Sequence, residues 1–205
     1  DFENVLNVVI SQAINNTSAQ INLMDSYGRP TETGVNMTFT DSKTGKEIAN
    51  MYHTLNDRDV PDTIYMDPGY LYDIKVHTIP PVYKRKVEII AGRHNTIAID
   101  APQGLLSLKI DGVTNYKNLQ AIIIDKQSGE IIQVQDFNEQ QKYIVNDYKV
   151  ELLTLPRITQ ESVQVEQNKT TTLQVQQPGK LNVVTRKKLE MGIYYRHNGE
   201  LELIK

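Results

Sequence analysis

Four histidines, His53, His77, His94 and His197, and the aspartates Asp57, Asp59, Asp62 and Asp67 are the side chains of this chain best suited to hold a metal ion. No two histidines share the i, i+4 spacing of a helix-borne zinc site, and the absence of cysteine removes thiolate ligands, disulfides and a thiol nucleophile. The Asp57–Asp67 loop is oxygen-rich, as calcium loops are, but it lacks the glycine and terminal glutamate of an EF-hand and carries Arg58 in its middle. A solvated loop is the expectation there, and calcium the alternative. Asp57 and Asp59 do not read as a glycosidase pair, because nothing apolar surrounds them to raise a carboxyl pKa. Neither a Gly-x-Ser-x-Gly elbow nor a phosphate-binding glycine loop occurs. The expectation is therefore no catalytic residue, no metal ligand and no cofactor.

Two further groups invite a binding reading. Tyr65, Tyr70, Tyr72 and Tyr83 could form an aromatic platform for a sugar, although Tyr70 and Tyr72 share one face of an alternating strand and such a face more often packs in a core. His77 follows the same strand out of phase with Val76 and reads as half-buried. Lys84-Arg85-Lys86 and Arg186-Lys187-Lys188 are too short for a nucleic-acid patch and read as charges that blunt strand edges. With a formal net charge of -3, no nucleic-acid partner is expected, and no apolar run is long enough for a membrane helix.

The elements that position these groups come in two copies. Tyr72-Asp-Ile-Lys-Val-His-Thr-Ile-Pro80 recurs as Tyr148-Lys-Val-Glu-Leu-Leu-Thr-Leu-Pro156. Upstream, Thr40-Asp-Ser-Lys-Thr-Gly45 answers Ile124-Asp-Lys-Gln-Ser-Gly129, and downstream Thr96-Ile-Ala-Ile99 answers Thr172-Leu-Gln-Val175. Such a repeat fixes the domain plan. Period-two alternation in short runs separated by turn residues predicts about seven strands per copy. The fold class expected is mainly β: two tandem Ig-like or transthyretin-like antiparallel β-sandwiches, with a short N-terminal helix and a partial third repeat. The boundaries read as 1–19 for a helical lead-in, 20–104 and 105–179 for the two sandwiches, and 180–205 for the partial repeat or docked strands.

Phe2, Val5, Leu6, Val9, Ile10 and Ala13 stand at helical spacing, with Asp1 able to cap the first turn, and predict one buried face. Pro80-Pro81 ends the preceding strand, and Val87-Glu-Ile89 begins the next. In the tail, Leu181, Val183, Ile193, Tyr195, Leu201 and Leu203 mark strands that cannot make a sandwich alone, which predicts packing on residues 105–179 or on a neighbouring molecule. Asp at position 1 suggests a processed or excised piece of a longer protein.

The segment Pro68-Gly69-Tyr70-Leu-Tyr72-Asp-Ile74 resembles transthyretin-like and carboxypeptidase-regulatory-like modules, small sandwiches in which a Pro-Gly turn precedes a tyrosine-bearing strand. Asn146-Asp-Tyr148-Lys-Val150 keeps the strand without the Pro-Gly. The stretch Phe2 to Gln103, with the block from His53 to Gly69, resembles the region that follows the von Willebrand factor A domain in bacterial cell-envelope proteins. That resemblance implies an opening helix that ends or leaves an A domain. It does not carry over metal-dependent adhesion, because the Asp-x-Ser-x-Ser motif is missing. The expected function is a non-enzymatic spacer and protein-interaction module of adhesion type. Its expected setting is extracytoplasmic (periplasm, cell surface or secreted), and its expected partner is a protein or a neighbouring domain of the same polypeptide. A carbohydrate-binding module, with a polysaccharide as ligand, is the alternative.

Overall fold

The computed structural model describes residues 2–112, 119–177, 179–188, 190–197 and 199–204, without the side chains of 12–15 and of His197. The capping role expected of Asp1, the place of Ala13 in the helical stripe and the His197 side chain therefore lie outside the described residues. The elements are α1 (Phe2–Asn15), β1 (Ser18–Met24), β2 (Val35–Asp41), β3 (Glu47–His53), β4 (Ile64–Tyr65), β5 (Leu71–Val76), β6 (Val82–Glu88) and β7 (His94–Asp100), followed by the second set. That set is β8 (Gln103–Ile110), β9 (Gln120–Asp125), β10 (Ile131–Asp136), β11 (Gln140–Ile144), β12 (Asn146–Leu152), β13 (Ile158–Val165) and β14 (Thr170–Val175), with β15 (Tyr194–His197) and β16 (Glu200–Leu203) closing the chain.

The sheets have orders β3-β2-β5-β6 and β4-β1-β7 in the first set, and β10-β9-β12-β13 and β11-β8-β14 in the second. Strand for strand the orders are identical, so the fold is mainly β with two sandwiches and a small hairpin. The irregularities repeat as well. A bulge on β6, opposite the stretch from Tyr72 to Ile74 of β5, matches one on β13, opposite the stretch from Tyr148 to Val150 of β12. Another on β3, opposite Phe39 and Thr40, matches one between Ile131 and Gln133 on β10.

Two turns show why the sequences echo. The Asp41 carbonyl accepts from Gly45 N at 2.8 Å and the Asp125 carbonyl from Gly129 N at 2.8 Å. Both glycines have positive φ, 71° and 74°, a region that a Cβ disfavours. At the corner after β5, Thr78 Oγ1 donates to the Pro80 carbonyl at 2.7 Å, and Thr154 Oγ1 donates to that of Pro156 at 2.6 Å. Both prolines follow a cis peptide bond.

The chain divides into two compact units: Asp1–Gly104 with Lys142–Val145, and Leu105–Gln141 with Asn146–Lys205. The core of unit 1 takes Ile21, Leu23, Ile97 and Ile99 from one sheet and Met37, Phe39, Tyr72, Ile74 and Val76 from the other. Alternation on β5 and β12 puts Ile74, Val76, Val150 and Leu152 at 0% exposure. Each such aliphatic side chain contributes about 1.5–3 kcal/mol by leaving water. Unit 1 is completed by its distant segment: Ile144 packs against the core, its N–H donates to the Ile79 carbonyl at 2.7 Å, and Val145 N donates to that of Pro102 at 2.8 Å.

On the outer face of β5, Asp73 meets Arg85 of β6 at 3.1 Å. On β12, Lys149 meets Glu161 of β13 at 3.4 Å. Lys84-Arg85-Lys86 thus lies inside an edge strand that begins at Val82, not beside the end of one as expected. At an edge, few side chains need be apolar, so the alternation that would have marked this strand is weak.

The buried face expected of the opening helix is not found. Helix α1 forms, but its apolar stripe is exposed, with Phe2 at 81% and Val5 at 61%. Periodicity sets the helix locally, whereas burial needs a second surface. In the tail, β15 pairs with β16, and Tyr194, Leu201 and Leu203 are all exposed. The register partners of the two tail strands are each other.

Candidate functional site

The aspartate loop is organised by Asn56, whose Oδ1 accepts from Arg58 N at 2.9 Å and Val60 N at 3.2 Å. Asp57, Asp59, Asp62 and Asp67 are exposed; Asp62 accepts from Thr54 Oγ1 at 3.0 Å and Asp67 from Gly69 N at 2.8 Å. Among the described residues, no group of three or more His, Asp or Glu is placed to hold a metal ion.

The three histidines with described side chains are far apart in role. His53 is buried between the sheets, where Nε2 donates to the Ile21 carbonyl of β1 at 2.8 Å, a bond that ties β3 to the facing sheet. His77 is exposed rather than half-buried, because β5 ends one residue before it; its Nε2 donates to Thr38 Oγ1 at 2.7 Å. Thr38 Oγ1 in turn donates to Asn50 Oδ1 at 2.5 Å, and Asn50 Nδ2 donates to Glu47, so these polar side chains satisfy one another on the open face of the sheet. His94 lies beside Ser18 Oγ at 2.9 Å and Gln20 Oε1 at 3.2 Å.

The tyrosines are dispersed. Tyr72 is in the core and its hydroxyl donates to the Asp67 carbonyl at 3.0 Å, with Tyr70 edge-on at 6.0 Å between centroids. Tyr83 stands on β6 with the Arg85 guanidinium 5.1 Å from its ring centroid, and Tyr65 stands on β4 in the other sheet. They do not make one platform.

Sequence reasoning passed over Asp25, which organises the turn after β1. Its side chain is enclosed and accepts from Tyr27 N at 2.8 Å, Arg29 N at 2.9 Å, Arg29 Nε at 2.9 Å and Thr31 Oγ1 at 3.0 Å. Burial pushes the carboxyl up, but these hydrogen bonds, those of Arg29 foremost, outweigh it and bring the pKa from an ordinary 3.8 to about 2. An aspartate three residues before Gly28, whose φ is 73°, is the signal that could have shown it. Asp41 and Asp125 are held low too, by hydrogen bonds led by Thr44 Oγ1 and by Ser128 N. A lowered carboxylate stabilises the fold above its unfolded pKa, and that stability is lost as pH falls through the folded value. Melting temperature should accordingly fall between about pH 4 and about pH 2. Asp25→Asn should melt lower than the parent at pH 6 but lose less over the acid window. An equal acid loss in both would take Asp25 out of the explanation.

An apolar cavity of about 380 Å³ opens in unit 2. Among the described residues it is lined by Leu119, Leu152, Leu155, Pro156, Ile158 and Val175, with a few neighbours. Leu155 is 76% exposed and Ile158 46%. With few polar groups converging on it, this cavity suits an aliphatic side chain rather than a reaction. Among the described residues, no helix is long and apolar enough to cross a membrane.

No protein-family model matches the chain, and no curated protein sequence does. Among solved structures, it is similar to the Bacillus anthracis TIE protein at 16% identity and a TM-score of 0.32, over 78% of this chain and 33% of that one. It is also similar to a double mutant of the shaft pilin SpaA from Lactobacillus rhamnosus GG, at 8% identity and a TM-score of 0.28, over 81% of this chain and 98% of that one. A Streptococcal ancillary pilin matches at 12% identity and a TM-score of 0.28, over 80% of this chain and 63% of that one. The chain thus spans a third of the length of the TIE structure that it matches.

Proposed function

We propose that the chain is a non-enzymatic spacer and protein-interaction module of an extracytoplasmic envelope protein, suited to carry tension along the polypeptide. The observation that carries this reading is the parallel pairing of first and last strands in both copies. Strand β1 runs beside β7 from Ser18↔His94 to Met24↔Asp100, and β8 beside β14 from Leu105↔Thr170 to Ile110↔Val175. Parallel neighbours begin at the same end, so the chain enters each sandwich at one end and leaves at the other. A pull on the two chain ends slides one strand along its neighbour and loads the ladder bonds together rather than in succession. The resemblance of Phe2 to Gln103 to the region after a von Willebrand factor A domain supports the envelope placement.

Resistance to pulling is set by the unfolding rate, so force spectroscopy tests it directly. Handles on Leu105→Cys and Thr170→Cys, register partners at the same end of β8 and β14, should unzip the pair at a force several-fold below that needed when unit 2 is pulled end to end. Equal forces in the two geometries would remove the tension-bearing role.

A further inference from the structure

The outer face of the β3-β2-β5-β6 sheet carries side chains that the fold itself does not call for. Thr38 of β2 lies across from Asn50 of β3 and beside Lys75 of β5, and Asn36 lies across from Tyr52. Lys75 in turn lies across from Tyr83 of β6. Partners across a ladder share a face, here the one opposite to the buried Met37, Phe39 and Ile74. At the matching register of the second copy, Ile122 lies across from Val134 and beside Glu151. The same fold thus forms with an aliphatic pair and an acid where the first copy has a hydroxyl, an amide and a base.

The face is hollowed as well as polar. Asn36, Thr38, Glu47, Asn50 and His77 line an open hollow of about 500 Å³. Exposed tyrosines flank it, Tyr52 at 57% on β3 and Tyr83 at 48% on β6, the two outer strands of the sheet. Three strand spacings, about 14 Å, separate those strands. The bonds from His77 to Thr38 at 2.7 Å and from Thr38 to Asn50 at 2.5 Å order the floor of the hollow in advance of any ligand. The Asn36 side chain and the Tyr52 hydroxyl make no hydrogen bond among the described residues and point to solvent. Arg85 is engaged by Asp73 at 3.1 Å, whereas Lys75, with Nζ 5.9 Å from the Tyr83 ring centroid, has no acidic partner among the described residues. Glu47, the acid of the hollow, accepts from Asn50 and stands two strand spacings, about 10 Å, from the strand of Lys75.

From these features we infer that the outer face of this sheet in unit 1 binds a carbohydrate chain that carries carboxylates. The chain lies across the strands and packs the C–H faces of its sugar rings on Tyr52 and Tyr83, whose rings are apolar bodies with a polar tip. Asn36 and Asn50 meet its hydroxyl or acetamido groups, and a carboxylate sits at Lys75. An extended peptide would instead seek the unpaired backbone of a strand edge, and this hollow lies over the paired interior strands β2 and β5. Of the tyrosines that the sequence suggests for a sugar platform, only Tyr83 takes part. The site goes beyond the spacer reading and does not rest on it.

The test is a titration of the full chain, followed by NMR, with oligosaccharides of hyaluronan and of polygalacturonate as acidic probes and their carboxyl-reduced forms as neutral ones. Resonances of Asn36, Asn50, Tyr52 and His77 should move, while those of Ile122 and Val134 on the matching face of unit 2 stay in place. Tyr52→Ala should weaken binding about tenfold. Lys75→Gln should lower the acidic probes to the affinity of the reduced ones, and both variants should melt with the parent because the side chains lie outside the core. Failure of both acidic probes to bind, shifts away from this face, or full binding by both variants would overturn the inference. Equal binding of poly-glutamate would do so too, since it would make the face a patch that attracts any polyanion.

Discussion

Val150→Asp should unfold unit 2 while unit 1 keeps a melting transition of its own. Val150 is fully buried on β12, paired in register with Ile123 of β9 and Gln160 of β13, and flanked on the same face by the equally buried Tyr148 and Leu152. A carboxylate there loses its water and, among the described residues, finds no buried cation on the inner face. An unpaired buried charge is destabilising by several kcal/mol, a large part of the roughly 5–15 kcal/mol that holds an ordinary domain together. Calorimetry should therefore show one of two transitions lost, with unit 1 melting somewhat lower because its Lys142–Val145 segment is then less firmly held. A melt like that of the parent would show that the inner face of β12 has been misassigned.

The second large effect is expected in unit 1. Phe39, 2% exposed, sits on β2 between Ala49 of β3 and Ile74 of β5. It also borders a cavity of about 140 Å³ shared with Ile48, Met51, Ile64, Met66 and Tyr72. Truncation to alanine enlarges a hole that already exists, so collapse of the neighbours can recover little. Phe39→Ala should cost about 3–5 kcal/mol, read as a lower urea midpoint at an unchanged slope. A loss below about 1 kcal/mol would mean that the sheets close over the gap.

Much of this was legible before any coordinates. Alternation marked the strands whose inner residues proved buried, and the Asp-x-x-x-Gly turns and the Thr-x-Pro corners were repeated closely enough to reveal two copies of one fold. What stayed hidden depends on distant parts of the chain. Nothing local to Ile144 says that its N–H meets the Ile79 carbonyl, and nothing in the stripe of α1 says whether a surface covers it. The start of β6 was missed because an edge strand carries charges where a central one carries valines. Asp25 was missed for another reason: two of its four donors are backbone amides, which every residue except proline possesses, and the other two, Arg29 Nε and Thr31 Oγ1, reach it only once the turn has formed.

The two outer-face ion pairs have a consequence for how tandem copies avoid error. Asp73 opposite Arg85 in the first copy becomes Lys149 opposite Glu161 in the second, a reversal of sign at matching positions. Adjacent domains of one fold are prone to exchange equivalent strands while they fold, since the inner residues of β5 and β12 would fit either core. Exchange here would set Lys149 beside Arg85 and Asp73 beside Glu161. Each exposed native pair contributes little, about 0–1 kcal/mol. Like charges facing across a ladder are destabilising by a similar amount, so the two misplacements together favour the correct pairing over the exchanged one. The reversed polarity thus works as an address label, telling each strand which copy it belongs to while its buried face cannot.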